Sequence, residues 1–316
     1  MDKIAVIIPC YNEEQTIAAV VKDYRQALPE AVIYVIDNNS RDNTAAAARE
    51  AGAIVRRESA QGKGHVLRRA FREIDAEVYL TTDGDGAFSA DSAPEFCRLV
   101  LEENYDMVIG DRHSANYAET EKRAFHGAGN RLVRWAINTA FRTNLPDIMS
   151  GLRAYSYTFV KTLPIVVAGF EIETEMTLHA VAMNLQMIYI RTPVTDRPAG
   201  SKSSMRTFYD GAKVLRLIFR LVKNYKPFAF FTALAGVLFF CAIVSFVPVF
   251  IDWYPDKYVS LVPTFILSMV FVMTATQSFF AGLILDNIRR TERREYELRR
   301  VQVWDTLQRQ RRGGKE

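Results

Sequence analysis

Two carboxylates one residue apart, Asp83 and Asp85, end an apolar strand pattern in "VYLTTDGDGAFSAD" (Val78–Asp91). Like charges this close repel, and a divalent cation removes the repulsion. Mg²⁺ takes one or two carboxylates together with substrate phosphate oxygens, so the pair suits a metal–diphosphate site. Gly84 and Gly86 beside the acids allow backbone to approach a ligand closely.

The elements that must position these acids alternate between strand and helix. Lys3–Ile8, Ala31–Ile36, Ala53–Arg57, Val78–Thr82 and Asp106–Gly110 read as strands. Glu13–Leu28, Asn43–Ala51, Gly64–Asp75 and Ser92–Glu103 read as helices. This alternation predicts an α/β fold with a mainly parallel, doubly wound sheet. Such sheets bind ligands at the carboxyl ends of their strands. Pro9–Glu13, Asp37–Asp42, Asp83–Asp85 and Asp111–Arg112 stand there. Asp37 suits either a ligand contact or an Asx turn with Asn38 and Asn39, while Asp42 and Thr44 suit the start of the following helix.

Several chemistries are disfavoured. No G-x-G-x-x-G follows the first strand, and "QGKGH" (Gln61–His65) is too short for a P-loop. The three cysteines, Cys10, Cys97 and Cys241, are far apart and form neither a disulfide framework nor a zinc site. The four histidines lack ligand spacing and read as surface or packing residues. A chain of 316 residues that is 49% hydrophobic is long and apolar enough to fold, and its net charge of +4 says little. No nucleic-acid partner is expected, and no secretory signal is read at Ile4–Ile8.

The C-terminal third is different. Phe228–Ile251 and Tyr258–Leu285 carry no charge, and the first would be roughly 36 Å long as a helix, enough for a hydrocarbon core of about 30 Å. The break between them holds Trp253 and Tyr254, which suit an interface. Lys213, Arg216, Arg220, Lys223 and Lys226 precede the first span, and Arg289, Arg290, Arg293 and Arg294 follow the second. The positive-inside rule then puts both flanks in the cytoplasm. The expectation is a multi-pass protein of the cytoplasmic membrane, with its N-terminal domain and both termini inside. Basic residues on one face of Phe208–Lys226 predict an interfacial helix on the lipid bilayer. The tail from Asp286 reads as a solvated, charged helix.

"IIPCYNEE" (Ile7–Glu14), "DNNSRDNT" (Asp37–Thr44), "DGDG" (Asp83–Gly86), "IGDR" (Ile109–Arg112), "DIMSGLRA" (Asp147–Ala154) and "GFEIETEM" (Gly169–Met176) occur in this order. Together they resemble the family 2 glycosyltransferases of GT-A fold, and more closely the dolichyl-phosphate-mannose-synthase-like polyprenyl-phosphate glycosyltransferases. The resemblance implies a GT-A domain over 1–206, a juxtamembrane helix over 207–226, a hairpin over 227–285 and a tail over 286–316. It implies that Pro9, Tyr11, Glu13 and Asp37 hold the nucleotide. Asp83 and Asp85 match the D-x-D motif that binds Mg²⁺ or Mn²⁺ on the diphosphate, Asp85 as a catalytic residue. Arg112 and Arg197 match catalytic basic positions near the phosphates and acceptor. Arg153, Lys202 and Arg206 are further candidates for the acceptor phosphate, and Glu175 matches the family's site acid better than Glu173.

The implied reaction moves one sugar, with inversion, from a nucleotide sugar to a polyprenyl phosphate. The family's mannose synthases often carry Gln two residues after the D-x-D, where this chain has Ala87. That departure favours a UDP-hexose or UDP-N-acetylhexosamine donor over GDP-mannose. The alternatives are a processive polysaccharide synthase and a catalytically silent membrane adaptor. "RLVRW" (Arg131–Trp135) lacks the Gln of the processive Q-x-x-R-W motif and reads as an amphipathic helix. An exposed two-span hairpin suggests a homo-oligomer.

Overall fold

A computed structural model describes residues 1–112, 134–135, 137–139, 141–169, 171–193, 223 and 226–313. The chain divides into two units, Met1–Thr207 with Tyr296–Glu316, and Phe208–Glu295.

The first unit is built on β1 (Asp2–Cys10), β2 (Val32–Asp37), β3 (Ile54–Arg57), β4 (Ala76–Thr81), β5 (Met107–Asp111), β6 (Arg153–Ser156) and β7 (Met187–Arg191). They form one sheet in the order β3-β2-β1-β4-β6-β5-β7. The β1–β2, β2–β3, β1–β4 and β5–β7 pairs are parallel, and β6 runs antiparallel between β4 and β5. The sheet is therefore mixed. The five strands expected from the sequence are present, whereas β6 and β7 were not foreseen. Both are short, and neither alternates clearly between apolar and polar residues.

The middle strands are apolar at nearly every position because both of their faces are covered. Ile4, Val6 and Ile8 pack on one face with α1 (Ile17–Ala27) and α4 (Ala93–Leu101). Ala5 and Ile7 pack on the other with α3 (Lys63–Glu73), α5 (Tyr157–Thr162) and α6 (Ile172–Ala182). Burying each of the isoleucines and the valine contributes about 2 kcal/mol. Helix α1 begins at Ile17 rather than Glu13, because Asn12–Glu14 is bonded to the loop after β2: the Asn12, Glu13 and Glu14 N–H groups donate to Ser40 Oγ, Thr44 Oγ1 and Asp42 Oδ2. The short helix α2 (Thr44–Glu50) follows that loop.

The end of the chain belongs to this first unit. Tyr296 and Leu307 are buried in the cluster around α3, α5 and α6. Thr162 Oγ1 donates to the Tyr296 hydroxyl at 3.1 Å. Arg300 Nη2 donates to Asp106 Oδ1 at 3.1 Å, and Arg311 pairs with Glu77. This corrects the expectation of a solvated tail. Its polar face was legible, but its two apolar anchors lie among so many charges that no stripe stands out.

The second unit holds α7 (Pro227–Asp256) and the first part of α8 (Val262–Gly313), which runs on without a break into the tail. Both helices are long and apolar enough to cross a membrane. Ser245 and Ser268 share a hydrogen bond of 2.9 Å, and Ser278 Oγ donates to the Phe231 carbonyl. Gly282 lets the helices approach, since a Cβ there would stand 3.0 Å from Phe231 Cβ. Of the expected interfacial helix, only Lys223 and Lys226 fall within the described residues.

Candidate active site

The strand order reverses between β1 and β4, and the loops leaving their carboxyl ends meet there. Thr16 Oγ1 donates to the Gly84 carbonyl at 2.6 Å, joining the two loops. A Cβ on Gly84 would stand 2.7 Å from Cys10 Sγ, so this approach requires glycine. Four of the acids expected at the rim, Glu13, Asp37, Asp42 and Asp83, act on Cys10. Cys10 is fully buried beneath them; burial, and then Glu13, Asp37, Asp83 and Asp42, push its thiol well up.

Asp83 and Asp85 follow β4 and have different partners. Asp85 Oδ1 accepts the Ala87 N–H at 3.0 Å, an Asx turn that aims the following loop. Asp83 meets a cation from the chain itself. Lys63 Nζ lies 2.6 Å from Asp83 Oδ1 and 2.5 Å from Glu173 Oε1. The lysine is buried with Glu173, and its pKa is raised: burial pulls the ammonium down, but Asp83 and Glu173 outweigh it. Among the described residues, no three His, Cys, Asp or Glu side chains gather to hold a metal ion by themselves.

Lys63 opens α3 and is firmly placed. Gly62 has φ of +132°, and Asn38 Oδ1 accepts its N–H at 2.7 Å. Asn38 also donates to the Glu58 and Ala60 carbonyls, tying the end of β2 to the start of α3. The Gly64 N–H donates to the Ala168 carbonyl, and a Cβ on Gly64 would collide with the Val167 carbonyl. Lys63 was not singled out from the sequence, and Glu173 was named only as the weaker alternative to Glu175. The available signal was a lysine between two glycines at a strand-to-helix junction.

Glu175 does not join this group. Its Oε2 accepts the N–H groups of Val166 and Val167, and burial raises its pKa against those bonds. The structure thus puts Glu173, rather than Glu175, on Lys63, the lysine that also meets Asp83. The two glutamates are two residues apart on α6 and point apart, as helix geometry requires.

The arginines differ sharply. Arg153 is 0% exposed, with Nε on the Ser150 carbonyl, Nη2 on the Ile148 carbonyl and Nη1 on Thr177 Oγ1. Its placement is a correction: a guanidinium sealed in the core cannot meet an acceptor phosphate. Arg112, after β5, donates to both Asp147 carboxylate oxygens at 2.7 and 3.1 Å. Asp147 is buried, so this fork fixes the guanidinium at the strand end. Arg197, Lys202 and Arg206 lie outside the described residues.

The expected nucleotide residues sit around the first two strand ends. Pro9 pairs with Ile36 one residue before the end of β1, Tyr11 is exposed, and Glu13 lies in the bonded loop. Asp37 is buried and accepts the Ser40 N–H, three residues on, which fixes the carboxylate at this rim. Asp42 accepts from Thr44 as a helix-start residue; its pKa is lowered because hydrogen bonds from Thr44 and Glu14 outweigh burial. Ala87 packs in the apolar cluster under α1 and α4, so position 87 faces the core.

Residues 5–163 match the family described as Glycosyl transferase family 2. Glycosyltransferase AglJ of Haloferax volcanii is 33% identical over 231 residues, covering 73% of this chain and 75% of that protein. A dolichyl-phosphate hexose transferase of the same organism is 33% identical over 154 residues, covering 49% of this chain and 66% of its own. Among solved structures, Mycobacterium tuberculosis glucosyl-3-phosphoglycerate synthase, in complex with Mn²⁺, UDP and phosphoglyceric acid, superposes with a TM-score of 0.54. That match has 20% identity and covers 70% of this chain and 78% of the other, a likeness of fold.

Proposed function

This chain belongs to glycosyl transferase family 2, and from that premise we propose that it moves one sugar from a nucleotide-diphosphate sugar to a polyprenyl phosphate. The observation that carries the reading is the pair Asp83 and Asp85 at the carboxyl end of β4, where the strand order reverses. The acceptor class is supported by the relative named a dolichyl-phosphate hexose transferase and by two helices of membrane-spanning length. A UDP-hexose or UDP-N-acetylhexosamine is the favoured donor, with GDP-mannose as the alternative. The basic flanks of the hairpin favour a cytoplasmic catalytic unit in a multi-pass protein.

The donor set fits a divalent cation, because Asp83 already draws a positive charge, the Lys63 ammonium, to within 2.6 Å. Asp83 and Asp85 would hold Mg²⁺ or Mn²⁺, which as a Lewis acid offsets the charge of the departing nucleotide diphosphate. The residues after β1 and β2, Pro9, Tyr11, Glu13 and Asp37, would seat the nucleotide. The acceptor phosphomonoester has a second pKa near 6 and is largely a dianion at neutral pH. It is its own nucleophile, and no general base is required. Its oxygen bonds to the anomeric carbon as the bond to the diphosphate oxygen breaks, and in-line attack inverts that centre. The protein's tasks are alignment and charge stabilisation. Arg112 is held ready by Asp147 for the phosphates, and Arg197, Lys202 and Arg206 are proposed for the acceptor.

The test is transfer in detergent, with a short polyprenyl phosphate, Mn²⁺ or Mg²⁺ and a panel of labelled UDP- and GDP-sugars. One sugar on the lipid, lost in Asp85→Ala, supports the proposal and names the donor. Longer sugar chains on the product would favour a processive synthase instead. Transfer undiminished in Asp85→Ala would overturn the site.

A further inference from the structure

We propose that Lys63 is an internal counter-cation that makes metal binding depend on arrival of the donor diphosphate. This rests on the reading of Asp83 and Asp85 as the metal-holding carboxylates. Lys63 Nζ is 2.6 Å from Asp83 Oδ1, and the lysine side chain is only 10% exposed. Charges removed from water this far are weakly screened by salt. A divalent cation meeting Asp83 would face a fixed positive charge at the same carboxylate. The two cations repel unless further negative charge enters with the metal, and a nucleotide diphosphate supplies that charge.

The lysine is held for such an exchange. Its second partner is Glu173 Oε1 at 2.5 Å, on α6, so the ammonium keeps one anion when it leaves Asp83. Its backbone is pinned from two sides, by Asn38 through the Gly62 N–H and by the Ala168 carbonyl through the Gly64 N–H. Only the flexible side chain has to move. Metal alone therefore binds weakly, and metal with nucleoside diphosphate binds tightly. Lys63 acts through Asp83 and is a positioning residue.

The experiment titrates Mn²⁺ into the full chain in detergent, with free Mn²⁺ read by electron paramagnetic resonance, with and without UDP. The wild-type protein should bind Mn²⁺ weakly alone and about tenfold or more tightly with UDP. Lys63→Gln keeps hydrogen-bonding capacity without the charge. It should bind Mn²⁺ alone about tenfold more tightly than wild type, and UDP should then add little. Lys63→Arg retains the charge and should behave as wild type, which a merely structural role would not predict. If Lys63→Gln does not fold, Glu173→Gln serves: the ammonium is left to Asp83, and Mn²⁺ alone should bind still more weakly. Equal Mn²⁺ affinity of wild type and Lys63→Gln without UDP would overturn the inference and leave the metal site standing. Absence of Mn²⁺ binding by wild type even with UDP would overturn the site reading, and this inference with it.

Discussion

Gly151 and Asp83 touch so closely that a Cβ on Gly151 would stand 2.3 Å from Asp83 Oδ2. Thr81 Oγ1 donates to the Gly151 carbonyl at 3.2 Å, so the backbone there is fixed to β4 and the carboxylate must move instead. Gly151→Ala should reduce transfer about a hundredfold, in line with the cost of about 1 Å of misplacement. Its melting temperature should stay close to that of wild type. Initial rates and a thermal melt on the same preparation check both halves.

Arg153 predicts the opposite pattern. Replacing it by Met leaves the Ser150 and Ile148 carbonyls without their guanidinium donors in a sealed site. The loss should be about 3 kcal/mol of stability, since buried polar groups stripped of partners cost about 1–3 kcal/mol each. The expected outcome is a melting temperature lowered by several degrees, with donor affinity unchanged in the protein that remains folded.

Tyr296 tests the anchored tail. Tyr296→Ala removes a ring that meets His179 edge-on at 4.9 Å and a hydroxyl bonded to Thr162. It should destabilise the first unit by about 3 kcal/mol. Arg299→Ala, at an exposed position on the same helix, should change stability by less than about 0.5 kcal/mol. Equal melting temperatures for the two variants would contradict the packing seen here.

His179 makes stability depend on pH. Burial lowers its pKa from 6.5 to about 4, because the charged imidazole would sit between Phe159 and Tyr296. The folded state keeps the ring neutral, whereas the unfolded chain takes up a proton below 6.5. The contribution is therefore fully present above about pH 6.5 and is lost as pH falls towards 4. Its size is on the order of 3 kcal/mol, at about 1.4 kcal/mol per pKa unit. His179→Gln should flatten the fall in melting temperature between pH 6.5 and 5 relative to wild type.

The acids at the β2 and β4 ends were legible because the signals are local. An apolar run that ends in carboxylates beside glycines marks both a strand and its rim, whatever the rest of the chain does. The two long uncharged stretches were equally plain, since length and composition suffice. Their limits were less so: α8 runs past Leu285 because a helix needs no apolar residue to continue, only a backbone free of breakers.

What tertiary structure decided were the pairings. Asp83 meets a lysine 20 residues earlier, and only the sheet brings the two together. Glu173 and Glu175 have the same chemistry, and the rotation of α6 against α3 makes one a partner of Lys63 and the other a clamp on the 166–167 backbone. Arg112 and Arg153 read alike as phosphate ligands, yet one fork ends on Asp147 near the rim and the other, at the start of β6, is sealed in the core. By itself the sequence determined which residue types stand at which strand ends, because periodicity and turn chemistry act over a few neighbours. Which charge faces which was settled by burial and long-range packing, which no local pattern encodes.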